Sequence, residues 1–239
     1  MVRGPKDGTV SVAANLAQVR ERIAAACVRA GRDLAGVRIV AVSKTQPAEA
    51  VAEAVAAGAD AIGENRVQEA AAKRPLVAGA TPWHLIGPLQ RNKARTALGL
   101  FDVIETVDRP ELADRLEALL AGGSRVLPVF LEVNVGGEAA KSGVTAEDAA
   151  ALAAHILARC SHLHLAGVMT VPPYDSDPER SRPHFAALRG LAAGLVSRFT
   201  LPALELSMGM SEDFEVAVEE GATLVRLGRI VFGERRPAV

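Results

Sequence analysis

The sequence is poor in aromatic residues and in net charge. Phe, Trp and Tyr make up only 3% of the 239 residues, which argues against a surface that stacks nucleic-acid bases. The formal net charge is -1, so no strong electrostatic field attracts polyanions or acidic membranes. We therefore expect neither a nucleic-acid partner nor a membrane partner.

Cysteine is scarce as well, and long apolar runs are missing. Cys27 and Cys160 have no metal-type or redox-type partner nearby in the sequence, which predicts buried, reduced thiols of a cytoplasmic protein. Residues 1–10 are polar and contain glycine and proline, without the apolar core of a signal peptide. We predict that this segment is disordered. No apolar run approaches the length that spans a bilayer.

The chain does have a large apolar fraction, 49%, and its strand-like and helix-like patterns alternate regularly. Leu16, Val19, Ile23 and Cys27 recur at helical spacing and predict an N-terminal helix that ends near Gly31. Strands are predicted next, near Val37–Ser43, Ala59–Gly63, Trp83–Gly87, Asp102–Thr106, Leu127–Asn134, Leu163–Met169, Ala203–Ser207 and Thr223–Leu227. Helices are predicted between them, for example at Pro47–Ala57, Asn65–Ala78, Arg109–Leu120, Ala146–Cys160 and Pro178–Arg198.

Eight strand–helix units in roughly 200 residues favour a barrel over an open sheet. A doubly wound sheet is the alternative, but it usually places a glycine-rich turn after its first strand. Here that turn is Ser43-Lys44-Thr45. We predict one α/β domain over residues 1–239, a single (β/α)8 TIM barrel with an extra N-terminal helix.

Lys44 is the most informative candidate residue. It follows an apolar, β-branched stretch that is typical of a strand buried on both faces. A lysine at such a strand end can place its amine in a pocket, where burial favours the neutral form and a neutral amine attacks aldehydes. The alternative is a lysine whose stem packs at the barrel rim while its amine reaches water.

The ends of strands seven and eight resemble a phosphate site. Ser207 and Ser211 supply hydroxyl groups, and Gly228 opens the loop after strand eight, where many barrels bind phosphate. Ser211 is also a predicted N-cap of the helix through Glu219, whose free N–H groups would face an anion. The alternative is that these serines and glycines only cap and turn the chain. We expect Glu212 and the next residue, Asp213, to face solvent.

Three other candidates lie at the same ends of their strands. His84 lies in a strand between apolar neighbours, where a histidine is usually a satisfied core residue, and we place it behind the residues that touch a ligand. Asn65 follows a strand and starts a helix, so it is a pocket residue or an N-cap. Met169 ends strand six and is included among the candidate cofactor-binding residues.

Several motifs together resemble the pyridoxal phosphate (PLP) homeostasis protein family, single-domain relatives of the alanine racemase N-terminal barrel. The matching segments, in family order, are Ala-Val-Ser-Lys-Thr around Lys44, Gly-Glu-Asn-Arg-Val-Gln-Glu at 63–69, Trp-His-Leu-Ile-Gly-Pro-Leu-Gln at 83–90, Asn92-Lys93, Lys141-Ser142-Gly143, Ser207-Met208-Gly209-Met210-Ser211 with Asp213, and Val225-Arg226-Leu227-Gly228 with Phe232-Gly233. They extend from about residue 15 to residue 235.

The resemblance implies PLP as the cofactor, bound to Lys44 as a Schiff base. It implies that Arg226 lies against the pyridine nitrogen and that Asn65 lines the pocket. The phosphate is then surrounded by Ser207, Ser211, Gly228 and Arg229. Two departures bear on this reading: the family usually has Tyr where this chain has Arg66, and Thr where it has Arg229.

The resemblance further implies a protein that carries or buffers PLP, affects amino-acid and keto-acid balance, and has little or no catalysis. Arg226 is a permanent cation that cannot give a proton to the ring, so the ring stays a weak electron sink. We expect a cytoplasmic monomer without the C-terminal β-domain of the racemases, with PLP-dependent apo-enzymes as possible recipients. The alternatives are a small PLP-dependent amino-acid racemase and a class I aldolase that uses Lys44.

Overall fold

The fold is an eight-stranded parallel barrel, seen in a computed structural model that describes residues 11–138 and 142–233. The strands are β1 (Arg38–Val42), β2 (Ala61–Glu64), β3 (Trp83–Leu85), β4 (Val103–Val107), β5 (Leu127–Glu132), β6 (Leu163–Met169), β7 (Glu205–Ser207) and β8 (Leu224–Leu227). They pair in chain order, and β1 closes the sheet on β8. The predicted barrel is confirmed, and the doubly wound sheet is wrong. The predicted disorder of residues 1–10 lies outside the described residues.

Helices cover the outside of the barrel. They are α1 (Val12–Arg29), α2 (Ala48–Ala56), α3 (Val67–Lys73), α4 (Ala94–Leu98), α5 (Pro110–Leu120), α6 (Ala149–Arg159), α7 (Arg182–Phe199), α8 (Phe214–Glu219) and α9 (Arg229–Phe232). The predicted helix at Pro178–Arg198 begins later, because residues Pro178–Ser181 form a separate 3-10 turn. Helix α9 has only one turn and was not predicted.

Helix α1 is the predicted extra N-terminal helix. Ser11 caps it by accepting a hydrogen bond from the Ala14 N–H at 3.2 Å. Its buried side chains are Val12, Leu16, Val19, Ile23, Ala26 and Cys27. They pack against α8 and α9, and Arg29 pairs with Glu215 and Glu219 beside them. This helix therefore supports the two helices that follow strands β7 and β8.

The inside of the barrel is divided into an apolar and a polar level. The apolar level, here called the barrel plug, consists of Val40, Ala61, Phe130, Met169 and Leu224. Because strand side chains alternate between faces, residues two positions further along also point inward. Glu132 follows Phe130 in this way, and Arg226 follows Leu224. The polar level thus lies at the C-terminal ends of the strands, above the plug.

The structure bears on two further points raised by the composition. Cys27 and Cys160 are buried, free thiols. Within the described residues, no helix is both long and apolar enough to cross a membrane.

Candidate functional site

A cleft of about 640 Å³ opens at the C-terminal end of the barrel. Its lining includes Lys44, Asn65, Ser211, Arg226, Gly228 and Arg229. These are six of the nine candidate cofactor-binding residues. They come from segments spread over almost the whole chain, and the barrel brings them together because all of its parallel strands end at one edge.

Lys44 lies in a turn directly after β1 and is half-buried at the wall of the cleft. The turn begins at the buried Ser43, whose N–H donates to the Gly63 carbonyl at 3.0 Å. Thr45 follows with a φ of 64°, a left-handed conformation that is unusual for a β-branched residue. The strand end thus delivers the lysine to the cleft, and the backbone reverses immediately behind it.

Arg226 is a buried cation that lines the cleft, with only 4% of its surface exposed. Its Nη1 donates to the Ser207 hydroxyl at 2.6 Å, and its Nη2 donates to the Thr170 carbonyl at 2.7 Å. Burial lowers the pKa of Arg226, while the charges of Glu105 and of other nearby carboxylates oppose that change. A guanidinium stays protonated in such a setting, so Arg226 can only donate hydrogen bonds.

Behind Arg226 lies a buried chain of hydrogen bonds that ends at His84. The Ser207 hydroxyl donates to Glu105 Oε2 at 2.5 Å, and Glu105 Oε1 lies 2.6 Å from His84 Nδ1. Burial would raise the pKa of Glu105, but the hydrogen bonds and charges of His84 and Arg226 lower it overall. Glu105 is fully buried and therefore supplies the negative charge that balances Arg226.

Glu105 was missed as a site residue, although a signal for it exists. It stands in the middle of the apolar strand Val103–Val107, where an ionised side chain needs a partner. Ser207 and His84 reach Glu105 instead of the cleft, and Met169 is part of the barrel plug. These three candidates therefore lie behind the cleft wall, and a direct contact of any of them with a cofactor stays a prediction.

In the segment after β7, the helix cap is not the residue that the sequence predicted. Helix α8 begins at Phe214, and Asp213 occupies the N-cap position, so the prediction that Ser211 caps this helix is wrong. Asp213 is buried rather than solvent-facing: its Oδ1 accepts from the Met210 N–H at 2.7 Å, and its Oδ2 accepts from the Ser181 hydroxyl at 2.9 Å. Ser211 is thereby left at the cleft wall with its hydroxyl uninvolved in capping.

The segment after β8 forms the opposite side of this end of the cleft. Gly228 precedes α9, and a side chain there would begin 3.5 Å from the Val42 carbonyl oxygen of β1. The first N–H groups of a helix have no acceptor within the helix. The Arg229 side chain is exposed and pairs with Glu212. Both residues also belong to the lining of the cleft, and Glu212 is exposed, as predicted.

Three buried side-chain oxygen atoms lack a hydrogen-bond partner among the described residues, Glu64 Oε2, Asn65 Oδ1 and Glu132 Oε2. Burial raises the pKa of Glu132 to about 7, the Asp108 charge adds to the rise, and Arg226 opposes it. Glu132 was not among the candidate residues. Lys141, which the family motif includes, lies outside the described residues.

Comparisons with known proteins lead to one family. The family described as "Alanine racemase, N-terminal domain" matches residues 13–236. The pyridoxal phosphate homeostasis protein of Aquifex aeolicus is 42% identical over 222 residues, which are 92% of this chain and 97% of that protein. Its counterpart in Pseudomonas aeruginosa is 44% identical over 226 residues, covering 94% and 96%.

A similar solved structure is PipY of Synechococcus elongatus with PLP bound. It is 36% identical, with a TM-score of 0.81, and the match covers 93% of this chain and all (100%) of that one. Sequence motifs, barrel topology and relatives of nearly equal length thus lead to one assignment. The chain belongs to the alanine racemase N-terminal domain family and, within it, to the pyridoxal phosphate homeostasis proteins.

Proposed function

We propose that this protein binds PLP and holds it as an exchangeable store, in the service of PLP homeostasis. One observation carries the proposal: an amine, a buried guanidinium and a glycine-flanked helix start meet in one cleft, at Lys44, Arg226 and Gly228. The names of the relatives and the PLP-bound PipY structure support the same ligand.

The donor set of the cleft fits the three functional parts of PLP. Lys44 supplies an amine that can bond covalently to the aldehyde. Arg226 offers donors only, which suits the lone pair of a pyridine nitrogen. Ser211 and the backbone at Gly228 and Arg229 supply hydroxyl and N–H donors for the phosphate. Asn65 Oδ1, a buried acceptor with no partner in the part of the chain that the structure describes, is matched by the ring hydroxyl group as a donor.

The same residues favour storage over turnover. Bound PLP supplies an aldehyde that captures amines and a ring that withdraws electrons when its nitrogen is protonated. Arg226 holds its own protons and is already bonded to Ser207 and Thr170, so it cannot protonate that nitrogen. Glu132, with a pKa of about 7, is the observation that favours the racemase alternative, because a general base works best near the operating pH.

The decisive experiment is to load the purified protein with PLP, reduce it with borohydride and map the labelled peptide. We expect a pyridoxyl group on Lys44 and none in a Lys44→Ala variant. Label on another lysine of the parent protein, or no label at all, would contradict the proposal. Chiral chromatography after incubation with a panel of amino acids decides between storage and racemisation, and turnover at about 1 per second or faster would favour the enzyme.

Three finer points remain proposals. We propose that the protein works as a monomer in the cytoplasm and passes PLP to apo-enzymes that need it. We also propose that the Arg229 backbone N–H replaces the contact that a threonine makes in the family, since the Arg229 side chain pairs with Glu212. Arg66 is exposed, which supports a position outside the cofactor contacts.

A further inference from the structure

The turn that carries Lys44 is attached on one side to a buried lysine of α3. Lys73 is only 9% exposed. Its Nζ donates to the Ser43 carbonyl at 2.7 Å and to Glu64 Oε1 at 2.7 Å. The Ser43 hydroxyl donates to the same Glu64 oxygen at 2.6 Å. The residue before Lys44 is therefore fixed through both its carbonyl and its side chain.

On the other side, the residue after Lys44 is attached to a second side chain of α3. The Thr45 N–H donates to Glu69 Oε2 at 2.9 Å, and the same oxygen lies 3.4 Å from Lys73 Nζ. Burial would raise the pKa of Glu69, but the Thr45 hydrogen bond and the Lys73 charge lower it overall. Glu69 is thus an anionic acceptor, and charge-assisted hydrogen bonds are the strong ones.

These bonds explain how an unfavourable backbone conformation persists. Thr45 has a φ of 64°, which side chains branched at Cβ avoid. Such a conformation persists only where surrounding contacts determine it. Here the contacts come from both flanks of Lys44 and from one helix. Lys73 and Glu69 themselves are not part of the cleft wall described above, so a direct role in holding a ligand does not account for them.

We propose that Lys73 and Glu69 are positioning residues for Lys44: they hold its turn so that the amine faces the cofactor aldehyde, and they thereby set the rate of covalent capture. The inference rests on the proposed function. In the capture step the Lys44 nitrogen bonds to the aldehyde carbon, and the aldehyde oxygen leaves as water. A loose turn would leave the cleft intact but present the amine in a productive orientation less often.

The test separates capture from binding by using two ligands. PLP reports covalent capture through its visible absorption. Pyridoxine 5′-phosphate has the same ring and phosphate but no aldehyde, so it reports binding to the cleft alone. The first variant is Glu69→Ala, which removes the acceptor of the Thr45 N–H. The second is a paired variant that combines Lys73→Met with Glu64→Gln, because Lys73→Met alone would leave the buried Glu64 carboxylate without its cation. Gln68→Ala, an exposed neighbour on α3, is the matched control.

For Glu69→Ala and for the paired variant, we expect PLP capture to slow by about tenfold, the factor that corresponds to one hydrogen bond to a charged group. The dissociation constant of pyridoxine 5′-phosphate should stay within about twofold of the parent. Glu69→Gln keeps an acceptor for Thr45 and should restore most of the capture rate, and Gln68→Ala should match the parent.

Two results would overturn the inference while the proposed function stands. In one, Glu69→Ala captures PLP as fast as the parent. In the other, both ligands weaken in parallel, which would mean general damage to the fold. If the parent itself captures no PLP on Lys44, the proposed function fails first and the positioning role fails with it.

Discussion

At the scale of single residues, two positions have the largest effect on what the cleft can bind and do, Arg226 and Gly228. Arg226 cannot give up a proton, and this limits what the cleft can do with a bound ring. Gly228 has no side chain, and this lets a neighbouring backbone and a ligand come close. The hypothetical Cβ at Gly228 lies 3.5 Å from the Val42 carbonyl oxygen, so a small side chain is tolerated by the protein itself.

Gly228→Val should weaken PLP binding by about tenfold or more while sparing pyridoxal, which has the aldehyde and ring but no phosphate. The physical reason is that the valine methyl groups would block donors that make charge-assisted hydrogen bonds to the phosphate. Titrating both ligands against the variant measures the effect. Gly36→Val, on an exposed turn before β1, is the control and should bind both ligands normally.

Ser211→Ala gives the same comparison on the other side of the phosphate. We expect a loss of PLP affinity of about 1.5–3 kcal/mol, the usual contribution of one hydrogen bond to a charged group. Because Ser211 does not cap α8, stability should be unchanged. If the parent binds pyridoxal as tightly as PLP, there is no phosphate site at the ends of β7 and β8.

At the scale of elements, the segment between β7 and α8 depends on one glycine. Gly209 has a φ of 93°, and a Cβ there would lie 2.5 Å from the Ala217 Cβ and 3.0 Å from the Phe214 Cα. Its carbonyl accepts from the Arg226 N–H at 2.9 Å. This glycine therefore lets α8 pack closely on the strand end and ties that end to the neighbouring strand.

Gly209→Ala should lower the free energy of unfolding by about 2–4 kcal/mol, roughly 1 kcal/mol from the left-handed backbone and the rest from overpacking. Gly58→Ala is the matched control, because Gly58 has a φ of 85° but open space around its Cβ position. It should lose only about 1 kcal/mol. Equal losses in urea unfolding of the two variants would show that the packing against Ala217 is unimportant.

The barrel strands and their order could be predicted from the sequence because apolar, β-branched runs between helical patterns are local signals. The start of α8 could not. Ser211 is as good an N-cap as Asp213 by residue type, and one of the bonds that hold Asp213 comes from Ser181, 32 residues away in the chain. The bond between Lys73 and Ser43 likewise joins residues 30 apart, and no local pattern indicates it.

At the scale of the whole molecule, the polar level inside the barrel makes stability depend on pH. Glu132 keeps its proton up to a pKa of about 7 in the folded protein, against an ordinary value of 4.5. Between these two values the folded state binds more protons than the unfolded chain. The free energy of unfolding therefore falls as the pH rises through this window.

Glu132→Gln should remove the part of this dependence that Glu132 contributes, because a glutamine mimics the protonated side chain. Relative to the parent, the free energy of unfolding of the variant should rise by up to about 3 kcal/mol between pH 4.5 and pH 8. Urea unfolding at several pH values measures the difference, with the exposed Glu49→Gln as control. Parallel curves for parent and Glu132→Gln would mean that Glu132 ionises in the folded protein as it does in the unfolded chain.

The hydrogen-bonded charges behind the cleft, Arg226 and Glu105, have a consequence for the release of a ligand. Arg226 is balanced by Glu105 through Ser207, that is, by groups of the protein itself, so release of a ligand would leave no uncompensated charge in the barrel interior. A bound ligand still adds to the free energy of unfolding, because it binds the folded state alone, but the charge balance inside the barrel does not depend on it. Under the proposed function, the fraction of loaded molecules can follow the free PLP concentration without any change in this charge balance.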